Sequence, residues 1–170
     1  GNFAAGWQGY IYEPSWGHPM SEALPQPLSQ DLSEQHIRLT WRQGLGDELF
    51  FLRFAPELRD RGAAITYQTN PSNPKLATLL QRLEFLDAVE VDSTAAAAIE
   101  QDCALTDLPL LLGMQAAAQI PPSLRIAPDP DRLSAMRERL TALGPRPYIG
   151  LTWRAGTRGG VEVVLGVDVL

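Results

Sequence analysis

Short apolar runs and longer amphipathic stretches alternate along most of the chain. The apolar runs predict strands near 37–42, 63–68, 87–91, 101–105 and 148–153. The amphipathic stretches predict helices near 48–60, 74–83, 107–113 and 129–142. Strands that alternate with helices are typical of a parallel sheet covered on both faces. The pattern therefore predicts an α/β, Rossmann-like fold.

Capping and breaking residues refine two of these helices. Pro56 lies inside the first one and is expected to bend it, because proline removes the hydrogen bond to the carbonyl of Leu52. Gly62 is a natural left-handed stop for the same helix. In the 129–142 helix, Asp129 or Asp131 can cap the start and Gly144 ends it. The side chains predicted to form its buried face are Leu133, Met136 and Leu140.

The first 36 residues differ in character from the rest. Residues 1–12 place Phe3, Trp7 and Tyr10 or Ile11 at helical spacing. A helix this short is only marginally stable alone, so it is expected to dock on another part of the chain. Residues 13–36 contain several prolines and are predicted to be a linker that lies over a surface.

The amino-acid composition limits the kinds of ligand and partner that the chain is expected to bind. The 170 residues carry 14 basic and 20 acidic side chains, a net charge of −6, so attraction to nucleic acid is not expected. Cys103 is the single cysteine and cannot form an internal disulfide. His18 and His36 are far apart in the sequence, which makes a zinc site improbable. Without an apolar run of membrane-span length or a signal-peptide pattern, the expected location is cytoplasmic.

The segment Leu-Thr-Trp-Arg-x-Gly occurs twice, at Leu39–Gly44 and Leu151–Gly156. Each copy follows an apolar run and leads into a glycine-containing loop. Ligand sites of open α/β sheets lie beyond the carboxyl ends of the strands, where such loops begin. The repeat therefore predicts two Rossmann-like lobes that open with the same unit. Trp41 and Trp153 are expected to pack at the strand ends, and sugar stacking is the less favoured role for them.

The loop after the first copy is Gln43–Glu48. Gly44 and Gly46 begin a dinucleotide fingerprint, but Leu49 stands where a third glycine is required. A nucleotide-binding domain of another class is therefore a weaker interpretation. Asp47 has two possible roles: a general base that takes a proton from a hydroxyl, or a helix N-cap. Glu48 is the reserve carboxylate and is expected in the solvated first helical turn.

Two other loops carry candidate ligand contacts. The loop 154–160 contains glycines, arginines and a hydroxyl that suit a diphosphate. Because no helix is predicted after it to supply amide donors, a disordered tail is the favoured interpretation for this chain. Asn70 belongs to a polar loop after the second predicted strand, where it could touch an acceptor, although turn chemistry alone explains the loop.

Several segments together resemble a known family. Arg42-x-Gly44-x-Gly46-Asp47, followed by Phe54–Leu58 and Arg61-Gly62-Ala63, is similar to the opening of the heptosyltransferase-like glycosyltransferases. The chain resembles still more closely the bacterial proteins in which tetratricopeptide repeats precede such a domain, distant relatives of O-GlcNAc transferase. The segments that extend this resemblance are Gly1–Tyr10, Asp107–Gly113 and Ile149–Gly156.

The resemblance implies a GT-B glycosyltransferase that transfers a sugar from a nucleotide-sugar donor to an acceptor hydroxyl, with two Rossmann-like lobes and without a metal ion or other cofactor. Asp47 holds the position of the family's catalytic base. The other residues predicted to contact substrate are Gly44 and Gly46 of the same loop and Asn70 of the polar loop. Those that the resemblance assigns to the donor diphosphate are Arg154, Gly156 and Thr157.

The same resemblance divides the chain into four parts. They are the last helix of a repeat array (1–12), a linker (13–36), the N-terminal Rossmann-like lobe (37–147) and the beginning of a second lobe (148–170). Because the cleft needs both lobes, the isolated chain is expected to be inactive. The unpaired strand 148–153 could mediate a homodimer. The alternative function is a non-catalytic, transferase-like module for protein interactions.

Overall fold

The computed structural model describes residues 2–11, 26–42, 44–71, 74–91, 99 and 101–150. The chain divides into two compact units between Ala127 and Pro128. No helix within the described ranges is both long and apolar enough to cross a membrane.

The first unit contains a four-stranded parallel sheet. Its strands are β1 (His36–Thr40), β2 (Ala64–Gln68), β3 (Ala88–Glu90) and β4 (Gln101–Ala104). They lie in the order β3-β2-β1-β4. In register, Leu39 lies beside Tyr67 on one side and Cys103 on the other. The predicted α/β class with a parallel sheet is therefore confirmed. The predicted strand 148–153 is not confirmed, because 148–150 form no strand and 151–153 lie outside the described residues.

Six α-helices occur in the described ranges, together with short 3-10 turns at Leu52–Phe54, Leu105–Asp107 and Ala117–Gln119. The helices are α1 (Phe3–Ile11), α2 (Leu45–Phe51), α3 (Ala55–Asp60), α4 (Pro74–Leu80), α5 (Leu108–Leu111) and α6 (Pro130–Leu143).

The helix predicted over 48–60 is interrupted, as its proline indicates. It consists of α2, the 3-10 turn Leu52–Phe54 and α3, and Pro56 lies in the first turn of α3. Proline is tolerated there because the first-turn N–H groups have no intrahelical partner. Gly62 follows with φ of 99°, which confirms the left-handed stop.

The core lies between the sheet and the α2–α3 segment. Ile37 and Leu39 of β1 and Ile65 of β2 are fully buried, as are Phe54 and Leu58. The buried strand residues occupy the alternating positions that face one side of a sheet.

The N-terminal helix docks on this core. The Trp7 ring lies 6.3 Å from Phe51 and the Tyr10 ring 5.8 Å from it, measured between centroids. This confirms the docking role predicted for the two aromatic side chains. The end of the linker also lies on the first unit, because Leu32 is 1% exposed and its N–H donates to the carbonyl of Arg61 at 2.8 Å.

In the second unit, α6 has the predicted ends. Asp129 caps the helix by accepting the N–H of Arg132 at 2.9 Å, and Gly144 follows the last helical residue with φ of 126°. The predicted buried face is wrong, since no residue of the helix is buried. Amphipathic spacing indicates a face that suits burial, but it does not say whether a neighbouring element covers that face. The predicted members of this face are Leu133, Met136 and Leu140, of which Met136 is 48% exposed.

Candidate functional site

The candidate site lies at the carboxyl edge of the sheet, at the point where the order in which strands are added to the sheet reverses. From β1 the chain adds β2 and then β3 on one side, and β4 is added on the other side of β1. The segments that follow β1 and β4 therefore leave from a switch point of the sheet. Open α/β sheets bind ligands in the crevice that such a point creates.

Asp47 lies in the first turn of α2, shortly after β1. The helix begins at Leu45 with Gly44 as its N-cap, and no side chain makes a capping hydrogen bond. The N-cap hypothesis for Asp47 is therefore wrong, because the helix starts before the residue that would have capped it. The side chain of Asp47 is exposed at the edge of the sheet.

The N-terminal helix brings a tyrosine towards Asp47. Burial raises the pKa of Tyr10 to about 12, and the negative charge of Asp47 adds to that rise. The contact that places α1 against α2 is between the rings of Tyr10 and Phe51, whose centroids lie 5.8 Å apart. The helix that carries Asp47 thus contacts α1 as well as the sheet.

Glu48 is the largest departure from the sequence-based expectation. Its expected place is a solvated helical turn, yet it is 1% exposed. Its Oε2 accepts the hydroxyl of Tyr67 at 2.5 Å and the hydroxyl of Thr69 at 3.0 Å. Its Oε1 is buried and has no hydrogen-bond partner among the described residues. Burial, and then the bond to Glu48, raises the pKa of Tyr67, so this phenol stays protonated as a donor.

A signal for this burial is present in the sequence. Phe51 and Leu52 lie three and four residues after Glu48 and are both buried. Residues at this spacing share one helix face, so Glu48 belongs to the apolar stripe of α2. The expectation fails because it places the helix start near residue 48 rather than at Leu45.

The predicted substrate-side residues lie at the same edge. Asn70 is half-buried, two residues beyond the end of β2. Gly44 has an ordinary negative φ of −71°, and a Cβ added to it would have Asp47 Oδ2 as its nearest neighbour, at 3.8 Å. A Cβ at Gly46 would meet nothing within 4 Å. Sterics do not require either glycine, and both leave the backbone open to approach from solvent.

Sequence reasoning misses a second pair of polar residues across the switch point. Thr106 and Asp107 lie two and three residues after the end of β4 and are 3% and 5% exposed. The hydroxyl of Thr106 donates to Asp107 Oδ1 at 3.4 Å. Burial, followed by the charge of Asp107, raises the pKa of Cys103 to about 12. The rule that identifies Asp47, a polar residue at the end of a predicted strand, would also find Asp107.

The residues predicted for the donor diphosphate lie outside the described residues; they are Arg154, Gly156 and Thr157. The prediction that Trp153 packs at a strand end lies outside them as well, whereas Trp41 packs against the core as expected. Within the described ranges, no group of three or more histidine, cysteine or acidic side chains is arranged to hold a metal ion.

Fold and site together define an α/β protein with a parallel sheet and acidic side chains at its carboxyl edge. Among curated proteins, the chain is similar to Protein FlbA of Caulobacter vibrioides, with 26% identity over 179 residues. The match covers 91% of this chain and 29% of FlbA, so the chain spans less than a third of that relative's length. No family model matches the chain, and no solved structure matches it.

Proposed function

We propose that the chain is the acceptor-side, Rossmann-like lobe of a GT-B glycosyltransferase, which moves a sugar from a nucleotide-sugar donor to an acceptor hydroxyl. The parallel sheet with a switch point between β1 and β4 supports this proposal. The observation that carries it is the exposed Asp47, which lies at this edge and is not engaged as a helix cap.

Asp47 acts as the general base in this proposal. Its carboxylate takes the proton of the acceptor hydroxyl while the hydroxyl oxygen forms a bond to the anomeric carbon of the donor sugar. The bond from that carbon to the diphosphate oxygen breaks, and the nucleoside diphosphate leaves with the electron pair. The open backbone at Gly44 and Gly46 leaves room for an acceptor beside the base.

The donor is held by the second lobe, with Arg154, Gly156 and Thr157 as the proposed diphosphate contacts. Arginine and backbone amides can stabilise the leaving diphosphate, so the proposal includes no metal ion. Because the cleft needs two lobes, this chain alone is expected to bind UDP- and ADP-sugars weakly. Calorimetry on the chain would contradict this expectation if it gave micromolar affinity.

The test uses the full-length protein that contains this chain. Release of UDP or ADP from a panel of UDP- and ADP-sugars is measured for the unchanged protein and for Asp47→Asn. Loss of a general base is expected to lower kcat by about 100-fold or more, with little change in the donor KM. Asp60→Asn is the matched control, because Asp60 is an exposed aspartate of α3. If Asp47→Asn transfers sugar at the original rate, the base assignment is wrong.

The second candidate function is a non-catalytic interaction module. Large apolar side chains exposed in the second unit favour it, since Leu143 is 80% and Ile149 is 93% exposed. In this hypothesis the exposed apolar side chains around Ile149 pack against a second copy of the chain. Nucleotide release by the full-length protein distinguishes the two functions, because a non-catalytic module releases no UDP or ADP from any sugar of the panel. The dimer itself is tested by sedimentation, in which Ile149→Asp should dissociate it. A monomer in both cases removes the dimer hypothesis.

A further inference from the structure

The buried carboxyl group of Glu48 connects two segments that are distant in sequence. Glu48 lies on α2, and its two hydrogen-bond donors lie at the carboxyl end of β2, 19 and 21 residues further along the chain. Both donors are held firmly in place. Tyr67 pairs in register with Leu39 of β1, and the N–H of Thr69 donates to the carbonyl of Glu90 at 2.9 Å.

The loop that this carboxyl group anchors has few other restraints in the described residues. Gly44 and Gly46 bracket the start of α2, and no side chain caps it. The backbone N–H groups of Asp47 and Glu48 both donate to the same carbonyl, that of Gly44, at 3.0 Å. A helix start that contains two glycines is conformationally permissive.

The two acidic neighbours therefore occupy opposite environments. Asp47 is exposed and Glu48 is 1% exposed. Because consecutive helical residues point about 100° apart, fixing the Glu48 side chain in the core fixes the direction in which Asp47 leaves the helix. We propose that Glu48 is a positioning residue: its bonds to Tyr67 and Thr69 hold the first turn of α2 so that the Asp47 carboxylate faces the acceptor. This inference rests on the proposed function.

Glu48 Oε1 is buried and has no hydrogen-bond partner among the described residues, which argues against a purely structural role for this side chain. Among the described residues no cation pairs with Glu48, and only one of its two oxygens is hydrogen-bonded. Packing alone would be served better by an apolar side chain, because an unsatisfied buried polar group costs stability. A costly polar group that persists beside a candidate base is typical of functional sites.

The experiment uses the full-length protein and three sets of substitutions. The triple variant Glu48→Met/Tyr67→Phe/Thr69→Val replaces the hydrogen-bonded group by apolar side chains of similar size. Glu48→Gln keeps an acceptor for both hydroxyls. Glu57→Gln is the matched control, a glutamate of α3 that is bonded to Arg61 instead.

For each variant, kcat and KM are measured by nucleotide release from the UDP- and ADP-sugar panel, together with the urea midpoint of unfolding. In the triple variant, kcat should fall by about tenfold to 100-fold, as expected for a misplaced catalytic group, while the midpoint stays or rises. Glu48→Gln should recover most of the rate, and Glu57→Gln should keep all of it. An unchanged kcat in the triple variant would overturn the proposal.

A second measurement separates this inference from the proposed function. Hydrogen–deuterium exchange of the 44–48 amides is followed in the same proteins, whether or not transfer is detected. Faster exchange in the triple variant at an unreduced midpoint supports the anchoring of this turn, even if Asp47→Asn shows that Asp47 is not the base. Unchanged exchange shows that the hydrogen bonds of Glu48 do not hold the turn, and the proposal then fails.

Discussion

The two ends of the parallel sheet treat acidic side chains in opposite ways. At the amino end, Asp87 is 44% exposed and lies 2.6 Å from Arg59. It also accepts the N–H of Ile65 at 2.6 Å. At the carboxyl end, Glu48 is buried, and its hydrogen-bond partners are the neutral hydroxyls of Tyr67 and Thr69.

The two carboxyl groups differ in what their environments cost in stability. An exposed aspartate paired with arginine costs little to form and contributes little, as is usual for surface ion pairs. A buried carboxyl group with one unsatisfied oxygen is costly wherever it occurs. The cost falls at the edge where α/β sheets bind ligands, beside the exposed Asp47. At the carboxyl end, therefore, the sequence keeps a buried polar side chain that costs stability. Such a residue is expected at a functional site.

The largest expected effect concerns Cys103, which lies near the carboxyl end of β4. Burial first, and then the charges of Asp107 and Asp102, raise the pKa of its thiol from 9.0 to about 12. Only the thiolate reacts, so a shift of this size lowers the reactive fraction about 1000-fold near pH 8. Alkylation by iodoacetamide, followed by mass spectrometry, should be at least about 100-fold slower in the native chain than in urea.

A substitution in the same cluster sharpens this result. Asp107→Asn removes one of the negative charges and should speed native alkylation, whereas Asp60→Asn on α3 should not. Equal labelling rates in the native and the unfolded chain would mean that the buried, negatively charged environment of Cys103 is absent in solution.

At the amino end the largest effect is steric and concerns Gly62. Its φ is 99°, and an added Cβ would lie 2.9 Å from Ser33 Oγ and 3.1 Å from the Ser33 backbone nitrogen. Gly62→Ala combines a left-handed alanine with a backbone clash, so the free energy of unfolding should fall by about 3 kcal/mol in urea titrations.

Gly113→Ala is the matched control for that change. Gly113 also has a positive φ, 73°, but a Cβ there would meet nothing within 4 Å. Gly113→Ala should therefore lower the free energy of unfolding only by the cost of a left-handed alanine, about 1 kcal/mol. Equal losses at the two glycines would show that the contact with Ser33 relaxes without cost.

The next effect tests the buried hydrogen bonds at the carboxyl end. Tyr67→Phe removes one of the two donors to Glu48 and should lower the free energy of unfolding by about 2 kcal/mol, as expected for a bond to a buried carboxyl group. When Glu48→Met is combined with it, the group that needed the donor is gone, so the double variant should lose less than Tyr67→Phe alone. If the losses of the two single substitutions simply add in the double variant, the urea titrations would contradict a hydrogen bond between Tyr67 and Glu48.

The sheet is predictable from the sequence because its signals are local. The runs that contain Ile37, Leu39 and Ile65 each indicate a strand by their own composition, and alternation with helices implies parallel pairing. Gly62 and Asp129 are predictable for the same reason, since a stop or a cap depends on a few neighbouring residues.

The candidate site is predictable only in part. The sequence places Asp47 at the correct edge, but a helix start three residues earlier than expected puts Glu48 inside the protein. The partners of Glu48 lie 19 and 21 residues away, and no local pattern states which hydroxyls will meet it. Long-range polar contacts depend on strand register and helix rotation together, and each can be misjudged by one or two residues.

The smallest expected effect is the pH dependence contributed by Asp87. Burial alone would raise the pKa of this carboxyl group, but the bonds from Arg59 and from the Ile65 N–H outweigh it, and the net shift is downward. A lowered pKa in the folded state adds stability above the unfolded pKa of about 3.9, and that stability is lost as the pH falls through the folded value.

Asp87→Asn keeps an oxygen for the Ile65 N–H and removes the charge. Urea titrations should therefore show a loss of about 0.5 kcal/mol at neutral pH that disappears near pH 2. A loss that stays constant over this range would mean that the ion pair with Arg59 does not contribute, and that the two ends of the sheet differ in burial alone.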